Sequence, residues 1–288
     1  MSPNLSSSET PITVSVITTV FNDLPGLMKT GVSVLNQDYP VEWVVMDADS
    51  GPDTRNFLSK SEPGIHSIVW KSEWDQGLYD GMNKGFELST GNVVIFLNAG
   101  DCLVSKQTIR EVVTSKRTNS WHWAVALAVR INEEGVPRAV WEYLNPTLSG
   151  LALGTRTFCH QATFYSRDLL RELPPYDIKN LAADHLLNVR AFKKHNPTML
   201  TFVTTHFEDG GVSSQRPFSA SMKDLRRIRK EENLLIGNNR IIDYLASFII
   251  VNIVSFSGKL YSLLRLVSRT MIKDQYRVTP QSTKKNEL

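Results

Sequence analysis

Several things are scarce in this chain, and each scarcity narrows the reading. Only two of its 288 residues are cysteine, Cys102 and Cys159. They make no CxxC pair and no disulfide framework, so a reducing compartment is the simplest setting. No internal repeat is visible. The first ten residues, MSPNLSSSET, lack the apolar core of a signal peptide and read as a flexible lead-in. The loop after the first apolar run, Phe21–Gly26, lacks the basic, glycine-rich character that grips a triphosphate, which weighs against a nucleotidyltransferase. The basic run Lys223–Lys230 lacks the interleaved aromatics of a nucleic-acid surface, so nucleic acid is not an expected partner.

What remains is of ordinary globular composition, 41% apolar and 21% charged. Its charge is unevenly spread. Residues 1–215 hold 18 Lys and Arg against 23 Asp and Glu, net −5, whereas residues 216–288 hold 14 against 6, net +8. A basic C-terminal segment on an acidic body points to an anionic surface as partner.

Apolar runs alternate with helical periodicity through the first hundred residues. Strands are expected at Thr13–Val20, Val41–Met46, Ile65–Trp70 and Val93–Leu97. Helices are expected between them at Leu27–Gln37, Thr54–Ser61 and Leu78–Leu88. This alternation implies a mainly parallel α/β sheet covered on both faces, with ligands beyond the carboxyl ends of the strands. The acidic turns Asp47–Asp49 and Asn98–Asp101 fall at those ends. Beyond residue 104 the pattern loosens. Strands are expected at Trp121–Ile131, Pro137–Tyr143 and Thr198–Thr205, and helices at Leu181–Lys194 and Lys223–Leu235.

The order of motifs is more specific than any one of them. An Asp-x-Asp-Ser turn follows strand two, Asp-Gln-Gly-x-Tyr-Asp precedes a helix, an apolar strand ends in Asn-Ala-Gly-Asp, and Ala-Asp-His opens a later helix. The stretches "VSVITTVFND", "VVMDADSGPDT", "DQGLYDGMNKGFELSTGNVVIFLNAGD", "CHQATFY", "AADHLL" and "FEDGGVSS" together resemble the family 2 inverting glycosyltransferases of GT-A fold. The likeness runs over roughly residues 11–215. It is greatest toward bacterial members that build exopolysaccharide, colanic acid or O-antigen.

That resemblance implies a GT-A (Rossmann-like) sheet flanked by helices, a nucleotide-diphosphate-sugar donor and a divalent metal, Mg²⁺ or Mn²⁺. It places Asp101 at the metal, with His206 as a further ligand, although three non-acidic residues, Asn98-Ala-Gly, precede Asp101 where such motifs usually carry two or three acids. It makes Asp184 the base that deprotonates the acceptor hydroxyl. Thr19, Phe21, Asp47, Asp49, Asp75, Asp80, Lys84 and Asn98 fall to the nucleotide-sugar, and His160 and Gln161 to the acceptor side. Lys84 would reach a phosphate. A plain alternative for Asp75, Asp80 and Lys84 is a solvated ion-pair face. A binding module that has lost catalysis is the alternative for the chain as a whole.

The expected organisation is a flexible 1–10, a catalytic domain over 11–215, a basic amphipathic helical segment over 216–275 and a flexible tail over 276–288. Within that segment, Ile241–Val267 is mostly apolar, with a polar stripe at Asp243, Ser247, Asn252, Ser255, Lys259 and Ser262. It is interrupted too often for a spanning helix, which needs roughly 20 predominantly apolar residues. A helix lying in the membrane interface fits better, with a homodimer contact as the competing use. The expected location is the cytoplasm, peripheral on the inner face of the plasma membrane, near a lipid-linked saccharide acceptor.

Overall fold

The structure, a computed structural model, describes residues 11–132, 135–141, 146–208 and 217–249. The first half alternates as the periodicity predicts. The order is β1 (Val14–Val20), α1 (Leu24–Leu35), β2 (Val41–Asp47), α2 (Pro52–Lys60), β3 (Ser67–Ser72), α3 (Leu78–Leu88) and β4 (Val93–Phe96). Then come β5 (Cys102–Leu103), α4 (Thr108–Asn119), β6 (Trp123–Ile131), β7 (Pro137–Trp141), α5 (Leu148–Leu153), β8 (Thr163–Ser166), α6 (Arg167–Glu172), α7 (Ala183–Lys194), β9 (Thr198–Glu208) and α8 (Phe218–Glu231). A last helix, α9, covers 240–249.

The strands form one sheet in the order β3-β2-β1-β4-β8-β6-β9-β5, with β7 pairing β6. Pairing from β3 to β4 is parallel throughout. Every residue of β1 and β4 is buried, which is why these strands read as unbroken apolar runs. The second half is mixed. Strand β8 runs antiparallel to both β4 and β6, while β9 lies parallel to β6. This is the α/β fold with helices on both faces that the sequence implied, with the purely parallel character confined to its first four strands. The GT-A-like sheet lies wholly within residues 14–208. The expected flexible ends, and 250–275 of the basic segment, lie outside the described residues.

Register lines up the carboxyl ends of the parallel strands. Val20 pairs Asp47, Asp47 pairs Ser72, and Ile17 pairs Phe96. Their loops therefore open at one edge. Helix α3 lies flush across β1, because Gly85 faces Ile17 where a Cβ would come within 2.5 Å of its Cγ2.

The opposite, amino-terminal edge is fastened by a polar cluster. Glu42 on β2 accepts bonds from the Thr90 amide (2.7 Å), the Thr90 hydroxyl (2.8 Å) and the Ser15 hydroxyl on β1. Beside it, the buried Arg167 donates to the Gly91 carbonyl and the Ser89 hydroxyl, both at 2.6 Å. Burial pushes the Glu42 carboxyl up, but the bonds from Ser15 and Thr90 outweigh it and leave it below its ordinary value of 4.5. A carboxyl so lowered stabilises the fold above about pH 4.5 and stops doing so as pH falls through the lowered value. Glu42→Gln is expected to cost about 1–2 kcal/mol at pH 7. It should also flatten the loss of stability between pH 5 and 3, as read from urea midpoints of variant and parent.

Candidate active site

The carboxyl edge gathers most of the residues the motifs singled out. Thr19, at the end of β1, donates to Asn98 Oδ1 at 2.9 Å and so ties β1 to the turn after β4. That turn, Asn98–Asp101, is clamped from α1. The Thr30 hydroxyl lies 2.8 Å from the Asp101 carbonyl and 3.0 Å from the Gly100 amide, whose own residue sits at φ +95°. Asp101 is thereby delivered to the edge, buried but for 7% of its surface. Phe21 stands 68% exposed at the rim.

Asp47 and Asp49, left undivided by the sequence, have different jobs. Asp47 is buried and accepts from the Ser72 hydroxyl (2.6 Å) and the Ser50 amide (3.1 Å), so it braces the β2 and β3 ends. Asp49 is exposed, at φ +56°, and pairs with Arg55 at 2.8 Å. Asn22, whose amide donates to the neighbouring Ser50 hydroxyl at 2.8 Å, also has positive φ, +52°. Two non-glycine residues in this sparsely populated conformation at one edge mark a constrained rim.

Asp75 accepts from the Gly77 amide at 2.8 Å. A Cβ on Gly81 would lie 3.0 Å from both Asp75 Oδ2 and Thr19 Cγ2, so Asp75 reaches the β1 end. Asp80 and Lys84 turn aside. Lys84 Nζ lies 3.2 Å from Asp80, 3.3 Å from Glu73 and 3.0 Å from the Trp74 carbonyl. The structure thus draws these two as an ion-pair face, the plain alternative named above, because i,i+4 spacing on α3 sets them side by side.

The floor is the short 3₁₀ turn His160–Ala162. His160 is buried, stacks on Phe96 at 5.4 Å and lies 3.4 Å from the Tyr176 hydroxyl. Burial lowers its pKa against the pull of Asp184, so the ring is neutral. Its Nδ1 meets no hydrogen-bond partner among the described residues. The Gln161 carbonyl accepts from Thr205 at 2.7 Å. His160 is therefore lining beneath the site rather than a side chain on its surface. The neighbouring Cys159 thiol is pushed up to about 12, first by burial and then by the charge of Asp101, with Asp184 adding to it. Both carboxylates thus lie near enough to raise the same buried thiol. His206 is half-buried on β9, opposite Cys102 and hence one residue along from Asp101.

Asp184 occupies the first turn of α7 and accepts a 3.0 Å bond from the Tyr79 hydroxyl on α3. Burial, then the Asp184 charge, push the Tyr79 phenol far above its ordinary value, so it keeps its proton and donates. The Tyr79 ring stacks on Tyr176 at 5.4 Å. Tyr176 is fixed in turn by paired 2.9 Å bonds between its backbone and the Asn83 amide. Tyr79 is the tyrosine of the Asp-Gln-Gly-x-Tyr-Asp motif but was given no role from sequence, and Asn83 was not singled out. Their further signal is helical spacing inside the Asp75–Asp101 block.

The chain matches the Glycosyl transferase family 2 profile over residues 15–173. It is 34% identical over 222 residues to an uncharacterized glycosyltransferase of Mycobacterium tuberculosis strain H37Rv, covering 75% of this chain and 82% of that one. A PGL/p-HBAD biosynthesis glycosyltransferase of Mycobacterium bovis is 27% identical, covering 60% and 68%. Among solved structures, Staphylococcus aureus TarS residues 1–349 with UDP-GlcNAc superposes with a TM-score of 0.62 at 18% identity. That match covers 76% of this chain, which spans 66% of the TarS chain. A mannosyltransferase from Pyrobaculum calidifontis, with GDP-Man and Mn²⁺, gives 0.56 at 14% identity, covering 90% and 81%. At these identities the structural likenesses show the fold alone.

Gly77 sets the entry of α3, and hence the reach of Tyr79. It caps the helix at φ +110°, ψ 178°, a conformation open essentially to glycine only, with no atom near enough to crowd an added Cβ. Gly77→Ala is expected to cost about 1–3 kcal/mol through backbone strain alone. The measurement is the urea midpoint, and an unchanged midpoint would show that the turn has no such constraint.

Proposed function

The chain belongs to glycosyl transferase family 2, and on that footing we propose that it transfers a sugar from a nucleotide-diphosphate-sugar to a lipid-linked saccharide, with inversion, in bacterial surface polysaccharide assembly at the inner face of the plasma membrane. What supports this reading is the family match together with the 3.0 Å bond by which Tyr79 holds Asp184, with Asp101 and Asp184 both near enough to the buried Cys159 for their charges to raise its thiol. Asp101 ends the turn that Thr19 ties to β1 through Asn98, and Asp184 is held by Tyr79. The donor class is supported by the ligands of two neighbours of the same fold, UDP-GlcNAc in TarS and GDP-Man in the mannosyltransferase.

On this reading Phe21 offers its exposed ring to the nucleoside, with Asp49 beside it. Thr19, Asp75 and Asn98 line the path toward the diphosphate, while Asp47 acts from beneath by holding the β2 loop. Asp80 and Lys84 shape the α3 entry. A phosphate would have to displace an existing carboxylate to reach Lys84. Asp184 takes the proton of the acceptor hydroxyl as that oxygen attacks the anomeric carbon from the face opposite the diphosphate. Tyr79 holds one oxygen of Asp184, which leaves the other for the acceptor. His160 and Gln161 support the acceptor side from below.

Among the described residues no three His, Cys, Asp or Glu side chains gather into a preformed metal cage. Hard divalent cations are commonly held by one or two carboxylates, with substrate phosphates and waters completing the shell. Asp101, with His206 on the adjoining strand, fits that pattern of few protein donors. Bound there, Mg²⁺ or Mn²⁺ would neutralise charge on the departing diphosphate.

Asp184→Asn is expected to lower turnover about 10²–10⁴-fold while the donor dissociation constant stays put. Tyr79→Phe, which leaves the carboxylate but frees it to swing, should lose about tenfold with the same unchanged donor affinity. Release of nucleoside diphosphate in the presence of acceptor, with binding followed by calorimetry, reads both. Parental turnover in Asp184→Asn places the base elsewhere. Asp101→Ala and EDTA treatment of the parent should each abolish transfer, and full activity in EDTA would rule out the metal.

A further inference from the structure

Helix α9 is inside out by the standard of a water-facing helix. Its polar side chains Asp243 and Ser247 are buried. Its apolar ones, Ile241, Ile242, Tyr244, Leu245, Phe248 and Ile249, stand between 49% and 70% exposed. An ordinary surface helix turns its apolar stripe to the core.

The inversion has a specific cause. Arg229 on α8 is itself buried and grips Asp243 with both ends of its guanidinium, at 2.7 and 3.2 Å. The same side chain donates to the Ser247 hydroxyl at 2.6 Å and to the Ala152 carbonyl at 3.0 Å. Such bidentate, charge-assisted pairing fixes orientation as well as position. The Ile236 amide adds a 3.2 Å bond to Asp243. The polar stripe is thus the helix's seat on the protein, and the apolar side can only point away.

We infer that this apolar side of α9 is a lipid-docking face that seats on an anionic bilayer surface. Charge complementarity selects that occupant. Lys223, Lys230 and Arg240 are exposed around the helix, and the Arg226 guanidinium lies over the Tyr244 ring at 4.6 Å. The sequence from 216 onward carries net +8, and its apolar character continues through Val267 with Lys259 and Arg265 interspersed. A second copy packed on this face about a twofold axis would oppose two surfaces of like charge, whereas anionic headgroups attract each basic residue and the acyl region accepts the side chains between them.

The helix is seated close to the acceptor side of the site. Arg229 holds the carbonyl of Ala152 in α5, and His185, next to Asp184, lies 2.9 Å from the adjoining Leu151 carbonyl. Docking would therefore bring the α7 end of the mouth toward a lipid-borne substrate. That orientation rests on the lipid-linked acceptor proposed above, while the docking itself does not.

The test is co-sedimentation of the full chain with phosphatidylcholine vesicles, with and without phosphatidylglycerol. The parent is expected to partition onto the anionic vesicles and much less onto the neutral ones. Leu245→Glu with Phe248→Glu, both at exposed positions, should weaken that partitioning by at least about tenfold. Lys223→Glu with Lys230→Glu should weaken it on anionic vesicles only. Hydrolytic release of nucleoside diphosphate from the donor should survive in both. A parent that ignores both vesicles overturns the inference. So does an apolar-face variant that binds like the parent, or a solution dimer that this variant breaks while the parent stays off lipid. Vesicle binding without any release of nucleoside diphosphate would instead overturn the proposed transfer and leave the docking face standing.

Discussion

A methyl group on Gly85 would sit 2.5 Å from Ile17, and one on Gly81 would sit 3.0 Å from Thr19. Helix α3 can lie this close to β1 only because both positions lack a side chain. From that close seat it reaches in two directions. The loop that leads into it carries Asp75 to the end of β1. Its outer face sends Tyr79 to Asp184 and Asn83 to the backbone of Tyr176, more than ninety residues further along the chain. The parallel half of the sheet and the mixed half are thus joined across the mouth by one helix. The reach of Tyr79 to Asp184 depends on its depth, and packed interiors give way little.

The floor is held from the other side. Strand β8 enters antiparallel between β4 and β6 and places the Cys159–Ala162 turn directly under the carboxyl edge. The Asn98–Asp101 turn is pinned by the Thr30 hydroxyl on the helix after β1 and by Thr19 at the end of β1. Each carboxylate thus owes its position to an element remote from it in sequence, while its own loop contributes little beyond the side chain.

This explains what the sequence revealed and what it withheld. The first four strands were legible because each is an apolar run bounded by acids and glycines, and the strand–helix period repeats. Asp101 was picked out because it stands where the fourth apolar run stops, whereas Asp75 and Asp184 were picked out through the family resemblance. Strand β8 was not. It has four residues, too few for a period, and follows a turn that resembles loop. Helix α4 was missed because only Thr108, Ile109, Val112 and Val113 are buried on a largely polar surface. The division of labour between Asp47 and Asp49 depends on the Ser72 hydroxyl across a strand, and the bond from Tyr79 spans 105 residues. The α9 stripe was visible in sequence, but which side would face the protein was decided by Arg229, a residue with no periodic signature.

Cys159 lies in the floor, near enough to both carboxylates for their charges to add to burial in raising its thiol to about 12. The protonated form is therefore favoured at neutral pH, whereas the thiolate is the form that reacts with oxidants and alkylating agents. Burial and a raised pKa both disfavour its attack on peroxide or a maleimide at neutral pH, in contrast to the less buried Cys102.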